Sequence, residues 1–167
     1  ARIVAPGAPT ETIHRFVFEY GMDHGALPAT LNYRGYTKSV CTSINHVVCH
    51  GIPDAKPLRE GDIVNIDVTY ILDGWHGDSS RMYPVGQIKR AAERLLEVTH
   101  ECLMLGVAAV RPGARTGAMG FAGAAPLLRL ALFRFDAFLE RALCLLQQLA
   151  RIACAVIVAD VDPEDLA

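Results

Sequence analysis

The sequence predicts an α+β fold up to Gly120, followed by a mostly helical tail. Three features support this class: an amphipathic pattern over residues 10–24, two strand-like segments joined by the turn Asp73-Gly74, and a second amphipathic pattern over residues 89–105. The chain has 167 residues, of which 51% are hydrophobic, so it is long enough to enclose one core.

The first predicted element is a helix over residues 10–24, in which apolar residues recur at helical spacing from Ile13 to Met22. We expect Thr10 to be its N-cap, because a threonine hydroxyl can accept a hydrogen bond from a free backbone N–H of the first turn. Gly25 suits the C-terminal stop, where the backbone commonly turns left-handed.

Residues 28–50 are expected to be extended, with turns at Asn32 and Gly35. Within them, the run Ile44–His50 is rich in β-formers and is predicted to be a strand that ends at Gly51. A polar turn over residues 57–62 then leads into the next strand.

The hairpin around Asp73-Gly74 carries one carboxylate in each predicted strand. Asp67 interrupts the apolar, β-branched run that begins at Ile63, and Asp78 follows eleven residues later. A carboxylate inside a buried strand is costly unless its charge is compensated, and a divalent metal ion is a strong compensator. We therefore predict that the two carboxylates meet and form half of a two-metal hydrolase site. The alternative, in which Asp67 pairs with a buried arginine and Asp78 caps a turn, stays open.

The second half of the chain changes character. An amphipathic helix is predicted over residues 89–105, and a turn at Arg111-Pro112-Gly113 follows it. From Phe121 onward the chain contains no His, Lys, Tyr or Trp. Residues 126–152 fit one amphipathic helix, residues 152–159 are apolar and β-branched, and residues 160–165 are acidic. We therefore divide the chain into residues 1–120 and a helical, apolar tail, 121–167.

The composition disfavours several classes of protein. The net charge is −2 and no basic run occurs, so nucleic acid is not expected as a partner. The five cysteines are scattered without a CxxC pair, which indicates free thiols and a cytoplasmic protein. The first residues lack a signal-peptide pattern, and no apolar run is long enough to predict a membrane span. Because the chain starts without Met, we expect a fragment or a processed form.

Other residues are candidates for substrate binding. His50 precedes a Gly-Ile-Pro turn, where an imidazole could hydrogen-bond a substrate carbonyl or move a proton; a half-buried histidine bonded to backbone is the alternative. Tyr33, Tyr36 and Cys41 would line an apolar pocket for an unbranched side chain, or pack in the core. His76, two residues before Asp78, is expected to be at the surface or behind the ligands.

Two stretches carry a resemblance to a known family. Residues 39–53 (SVCTSINHVVCHGIP) and residues 60–86 (EGDIVNIDVTYILDGWHGDSSRMYPVG) closely resemble type I methionine aminopeptidases of bacterial type, and the resemblance runs from about residue 3 to Gly120. It implies the pita-bread α+β fold, with two pseudo-symmetric halves around a dinuclear metal centre, of which residues 1–120 match the N-terminal half. It also implies a metallo-aminopeptidase that removes the initiator methionine from nascent proteins in the cytoplasm.

The resemblance assigns a role to each candidate residue. Asp67 matches a ligand of one metal ion, and Asp78 matches the carboxylate that bridges both ions. His50 matches the histidine that contacts the substrate at the scissile amide, as both a catalytic and a substrate-binding residue. The three residues Tyr33, Tyr36 and Cys41 match the lining of the methionine pocket. Two divalent ions are implied, of Co, Mn, Fe, Zn or Ni.

The chain also departs from the family pattern. The three remaining family ligands are a histidine in a Gly-His-Gly-Ile-Gly run and two later glutamates, but this chain has no His after His100 and no Gly-His-Gly. Glu140 and Glu164 do not lie in a matching strand context. We therefore expect a weak or incomplete metal site and doubt catalysis by this form.

The resemblance and the departure leave two functional hypotheses from different classes. The chain is either a methionine aminopeptidase, with nascent polypeptide N-termini and the ribosome as candidate partners, or a non-catalytic peptide-binding relative of the same fold. A creatinase- or prolidase-like relative would share the metal chemistry. The Cys-His-Gly-Ile-Pro run and the tyrosine-rich pocket argue against it.

Overall fold

The computed structural model describes residues 3–131. The elements follow in the order α1 (Thr10–Asp23), β1 (Leu27–Pro28), the 3-10 turn Tyr33–Gly35, β2 (Cys41–Ile44), β3 (Ile63–Leu72), β4 (Trp75–Pro84), α2 (Arg90–Ala108) and α3 (Thr116–Ala131). The described residues fall into two compact units, one that extends to Lys89 and one that begins at Arg90. Between residues 3 and 131, no helix is long and apolar enough to cross a membrane.

Strand β3 is the centre of the sheet in the first unit. All ten of its residues pair antiparallel with β4. Its other edge is shared, because Val64 to Asp67 pair with β2 and Tyr70 to Ile71 pair with β1. The β3–β4 loop has only two residues, Asp73 (φ 52°) and Gly74 (φ 88°), and positive φ at both is the mark of a type I′ hairpin turn. The predicted hairpin and its turn are therefore confirmed.

One face of β3 forms the core with α1. Ile13 and Val17 of α1 pack with Val40, and Ile66, Val68 and Tyr70 of β3 cover this cluster. The hydroxyl of Tyr70 donates to the carbonyl of Val17 at 2.6 Å, which fixes the helix on the sheet. A second cluster, of Leu58, Val64 and Val85, continues the core towards the other end of β3.

The two ends of α1 differ in how well the sequence predicts them. Gly25 (φ 70°) ends the helix as expected: its N–H donates to the carbonyl of Met22, and the next N–H reaches Gly21, which is a Schellman motif. The prediction for Thr10 is wrong, because Thr10 is the first helical residue and Pro9 precedes it. The Thr10 hydroxyl instead donates to the carbonyl of Asp54 and accepts from its N–H.

The strand predicted over residues 44–50 is also wrong, since β2 ends at Ile44. Asn45 follows in the left-handed region (φ 50°), and its side chain binds the Asp62 carboxylate and the Ile63 N–H. Those local bonds turn the chain out of the sheet, so β-propensity does not decide the conformation there. The turns predicted at Asn32 and Gly35 are confirmed by positive φ at both residues.

In the second unit, α2 confirms the helix predicted over residues 89–105 and runs three residues further. Helix α3 begins at Thr116, ten residues before the predicted start at residue 126, and contains Pro126. Its first turns are rich in Gly and Ala, so they carry no apolar stripe from which a helix could be predicted. The rest of the predicted helix to residue 152, the apolar run and the acidic end lie outside the described residues, and the boundary at Gly120 stays a prediction.

Candidate functional site

The face of β3 that points away from α1 is polar, and the sheet register brings polar residues of three strands onto it. Asp67 lies directly opposite Cys41 of β2 and Ser80 of β4, and Thr69 lies opposite Asp78. Directly paired residues project from the same face of a sheet, as do residues two apart. Asp67 and Asp78 are therefore diagonal neighbours on one face, which we call the polar face.

The electrostatics of Asp67 reflect this arrangement. The pKa of Asp67 is raised from its ordinary 3.8 to about 6, chiefly by burial and next by the nearby Asp78 carboxylate. The imidazole of His50 opposes both effects and lowers the pKa of Asp67. A carboxylate whose ionisation is opposed by burial and by a neighbouring carboxylate is well suited to bind a cation, because the positive charge offsets that repulsion.

Cys41 and Tyr36 border the carboxylates. Burial raises the pKa of the Cys41 thiol; the hydrogen bond with Tyr36 lowers it, and the nearby Asp67 and Asp78 carboxylates raise it. Burial likewise raises the pKa of Tyr36, with Cys41 as the next contributor. Both side chains are therefore neutral at physiological pH, and they present a thiol and an aromatic ring next to the acidic pair.

His50 is held in place through the residue that follows it. The carbonyl of Gly51 accepts hydrogen bonds from the Thr42 N–H at 2.8 Å and from the Tyr36 hydroxyl at 3.1 Å. The N–H of Gly51 donates to the Ser43 hydroxyl at 3.2 Å. Gly51 is thereby fixed on β2, while His50 (φ 54°) stays exposed to solvent beside the polar face. Its imidazole is thus accessible to a ligand.

The remaining predicted residues lie further out. Tyr33 is in the 3-10 turn with its side chain 63% exposed, and the guanidinium of Arg34 lies 5.4 Å from its ring centroid. His76 is exposed in β4, opposite Ile71. The sequence-based roles of Tyr33 and of the other pocket residues stay predictions.

The polar face offers two carboxylates as protein ligands to a divalent cation. Asp67 and Asp78 supply hard carboxylate oxygens side by side, which suit Mn²⁺, Fe²⁺ or Co²⁺. Within residues 3–131, however, no group of three His, Cys, Asp or Glu side chains is placed to hold a metal ion. A pair of ions would therefore have too few protein ligands in this part of the chain.

Several polar residues around the carboxylates were not singled out from the sequence. The Thr69 hydroxyl donates to Oδ1 of Asp78 at 3.0 Å. Next to it, the amide of Asn65 and the hydroxyl of Ser80 bind each other at 2.8 and 3.1 Å. The alternation of β3 was the available signal, because counting two residues in either direction from Asp67 reaches Asn65 and Thr69 on the same face.

Comparison with known proteins agrees with the fold. The model of metallopeptidase family M24 matches residues 1–135. A methionine aminopeptidase of Rickettsia prowazekii is 55% identical over 119 residues, which are 71% of this chain and 46% of that protein. The chain thus spans about half the length of the curated relatives it matches.

Solved structures of methionine aminopeptidases are likewise similar to this chain. The crystal structure of the Rickettsia prowazekii methionine aminopeptidase has a TM-score of 0.74 and 51% identity, over 76% of this chain and 51% of that one. The methionine aminopeptidase of Thermotoga maritima has a TM-score of 0.75 and 30% identity, over 77% and 52% of the two chains. The predicted pita-bread α+β fold is confirmed. From the family match and the shared fold, the chain belongs to metallopeptidase family M24.

Proposed function

We propose that this chain serves in the removal of the N-terminal methionine from nascent polypeptides, with a divalent cation bound between Asp67 and Asp78. The observation that carries the proposal is the meeting of the two carboxylates on the polar face, within electrostatic reach of His50. Similarity to methionine aminopeptidases supports the choice of substrate.

Each candidate site residue has a role in this proposal. Asp67 and Asp78 would hold the cation, which when bound supplies Lewis acidity and acidifies a water molecule. His50, exposed next to them, donates a hydrogen bond to the carbonyl oxygen of the scissile amide and stabilises charge that develops there. The neutral side chains of Tyr36 and Cys41, with Tyr33 at the rim, receive the methionine side chain.

The proposal is tested on the 167-residue chain after treatment with a chelator. Mn²⁺ and Co²⁺ are titrated by calorimetry, and hydrolysis of a Met-Ala-Ser peptide is followed at each metal concentration. We expect cation binding that Asp67→Asn abolishes. Asp23→Asn is the matched control, because Asp23 is an exposed aspartate at the end of α1. No binding of either cation and no turnover would refute the proposal.

A third result would point to a different class of function. If the chain binds Met-Ala-Ser without hydrolysing it, and a chelator leaves that binding unchanged, the chain acts as a peptide-binding relative of the fold.

We further propose that the activity takes place in the cytoplasm on nascent chains, with no nucleic acid or membrane as a binding partner. Co-sedimentation with ribosomes that carry a nascent chain, compared with empty ribosomes, tests the partner.

A further inference from the structure

We propose that Thr69 is a positioning residue, which holds the Asp78 carboxylate in the orientation that cation binding needs. This inference rests on the proposed function, since it deepens the role of the same site. The hydroxyl of Thr69 donates to Oδ1 of Asp78 at 3.0 Å, across directly paired positions of β3 and β4. Both residues are partly buried, so the bond is shielded from water on part of its surface.

The geometry of the bond leaves the other carboxylate oxygen available. Thr69 occupies Oδ1 of Asp78, and Asp67 is two residues from Thr69 on the same strand face. With Oδ1 held on the Thr69 side, Oδ2 remains to meet a cation shared with Asp67. A ligand that is already oriented loses less side-chain entropy when it binds, which is how outer hydrogen bonds strengthen metal sites.

The neighbouring hydroxyl on the polar face does not have this role. Ser80 lies directly opposite Asp67, yet its hydroxyl donates to Oδ1 of Asn65 at 3.1 Å and accepts from the Asn65 amide at 2.8 Å. Thr69 and Ser80 therefore form a natural comparison. Both are hydroxyl residues on the same face, but the hydrogen bond of Thr69 goes to a carboxylate and that of Ser80 goes to an amide.

The test compares three variants of the full chain with the unmodified protein. Thr69→Val keeps the shape and removes the hydroxyl, Thr69→Ser keeps the hydroxyl, and Ser80→Ala removes the comparison hydroxyl. We expect Thr69→Val to weaken Mn²⁺ binding about tenfold, measured by calorimetry and by electron paramagnetic resonance of free Mn²⁺. Thr69→Ser and Ser80→Ala should stay within about twofold of the unmodified chain.

A second measurement needs no metal. In chelator-treated protein, Hα–Hβ coupling constants of Asp78 report its χ1 rotamer. We expect one rotamer in the unmodified chain and in Thr69→Ser, and rotamer averaging in Thr69→Val. An unchanged Asp78 rotamer in Thr69→Val overturns the inference, as does unchanged Mn²⁺ affinity in a chain that binds Mn²⁺. If the unmodified chain binds no Mn²⁺ while the rotamer effect is present, the positioning of Asp78 stands and the proposed function fails.

Discussion

The substitution Gly51→Ala tests how His50 is held beside the polar face. A methyl group at residue 51 would overlap the carbonyl oxygen of Thr42 and would lie 2.8 Å from its carbonyl carbon and 3.0 Å from the Cα of Ser43. All three atoms belong to the backbone of β2, so no side-chain rotation relieves the overlap. The loop must move away from β2, and the three hydrogen bonds of Gly51 are then lost or stretched.

The expected cost follows from those three bonds. At about 1 kcal/mol for each intramolecular hydrogen bond, their loss lowers the free energy of unfolding by about 3 kcal/mol. Strain from a left-handed backbone conformation adds nothing to this cost, because Gly51 does not have a positive φ. In the absence of the overlap, alanine would instead stabilise by about 0.4–1 kcal/mol through the unfolded state. The overlap therefore decides the sign.

Urea unfolding followed by circular dichroism measures this cost. Gly77→Ala is the matched control, because a methyl group there meets no atom within 4 Å and its φ is not positive. We expect a clear fall in the urea midpoint for Gly51→Ala and none for Gly77→Ala. Amide exchange of the Thr42 N–H should accelerate only in Gly51→Ala. Equal midpoints in the two variants, with Thr42 still protected, would refute the reasoning.

Three further predictions concern stability. Gly21→Ala should lower the free energy of unfolding by about 1–3 kcal/mol, because its methyl group would overlap the Tyr70 ring and lie 3.0 Å from the Ala26 carbonyl; an unchanged urea midpoint contradicts this. Burial lowers the pKa of His14, whose Nδ1 accepts from the Ser39 N–H at 3.1 Å, so stability should fall as pH drops below the 6.5 of an unfolded histidine. That fall should be smaller in His14→Asn. If the free energy of unfolding, measured with urea, depends equally on pH in both proteins, the prediction is ruled out. Mn²⁺ at about 100 times its Kd should stabilise the chain by about 2.7 kcal/mol, seen as a higher Tm, and Asp78→Asn should remove the effect.

The elements that the sequence predicted well are those that periodicity determines. The apolar rhythm of α1 and α2 and the Asp73-Gly74 turn are local signals, and the structure confirms each of them. The errors occur where a side chain finds a partner far along the chain. Thr10 binds the backbone of Asp54, 44 residues away, and Asn45 binds Asp62. Neither partner is visible in a window of ten or fifteen residues.

In the candidate site, too, some features could be predicted from the sequence and others could not. The acidic pair could be predicted because a carboxylate in an apolar strand is itself unusual, and a two-residue turn fixes how the strands meet. The placement of His50 could not, because it depends on three bonds from β2 and from Tyr36 to the backbone of Gly51. A glycine selected for close backbone approach looks in sequence like any loop glycine.

The alternation of β3 links the stability of the fold to the chemistry of the site. Val64, Ile66, Val68 and Tyr70 project into the core, so the strand cannot shift by one residue without burying its polar side chains there. The core contacts therefore fix the register that places Asp67 diagonally from Asp78. Since burial and mutual repulsion disfavour the ionised form of Asp67, a cation on the polar face would relieve a cost that the apolar face imposes. Binding and folding free energy should therefore be coupled through this one strand.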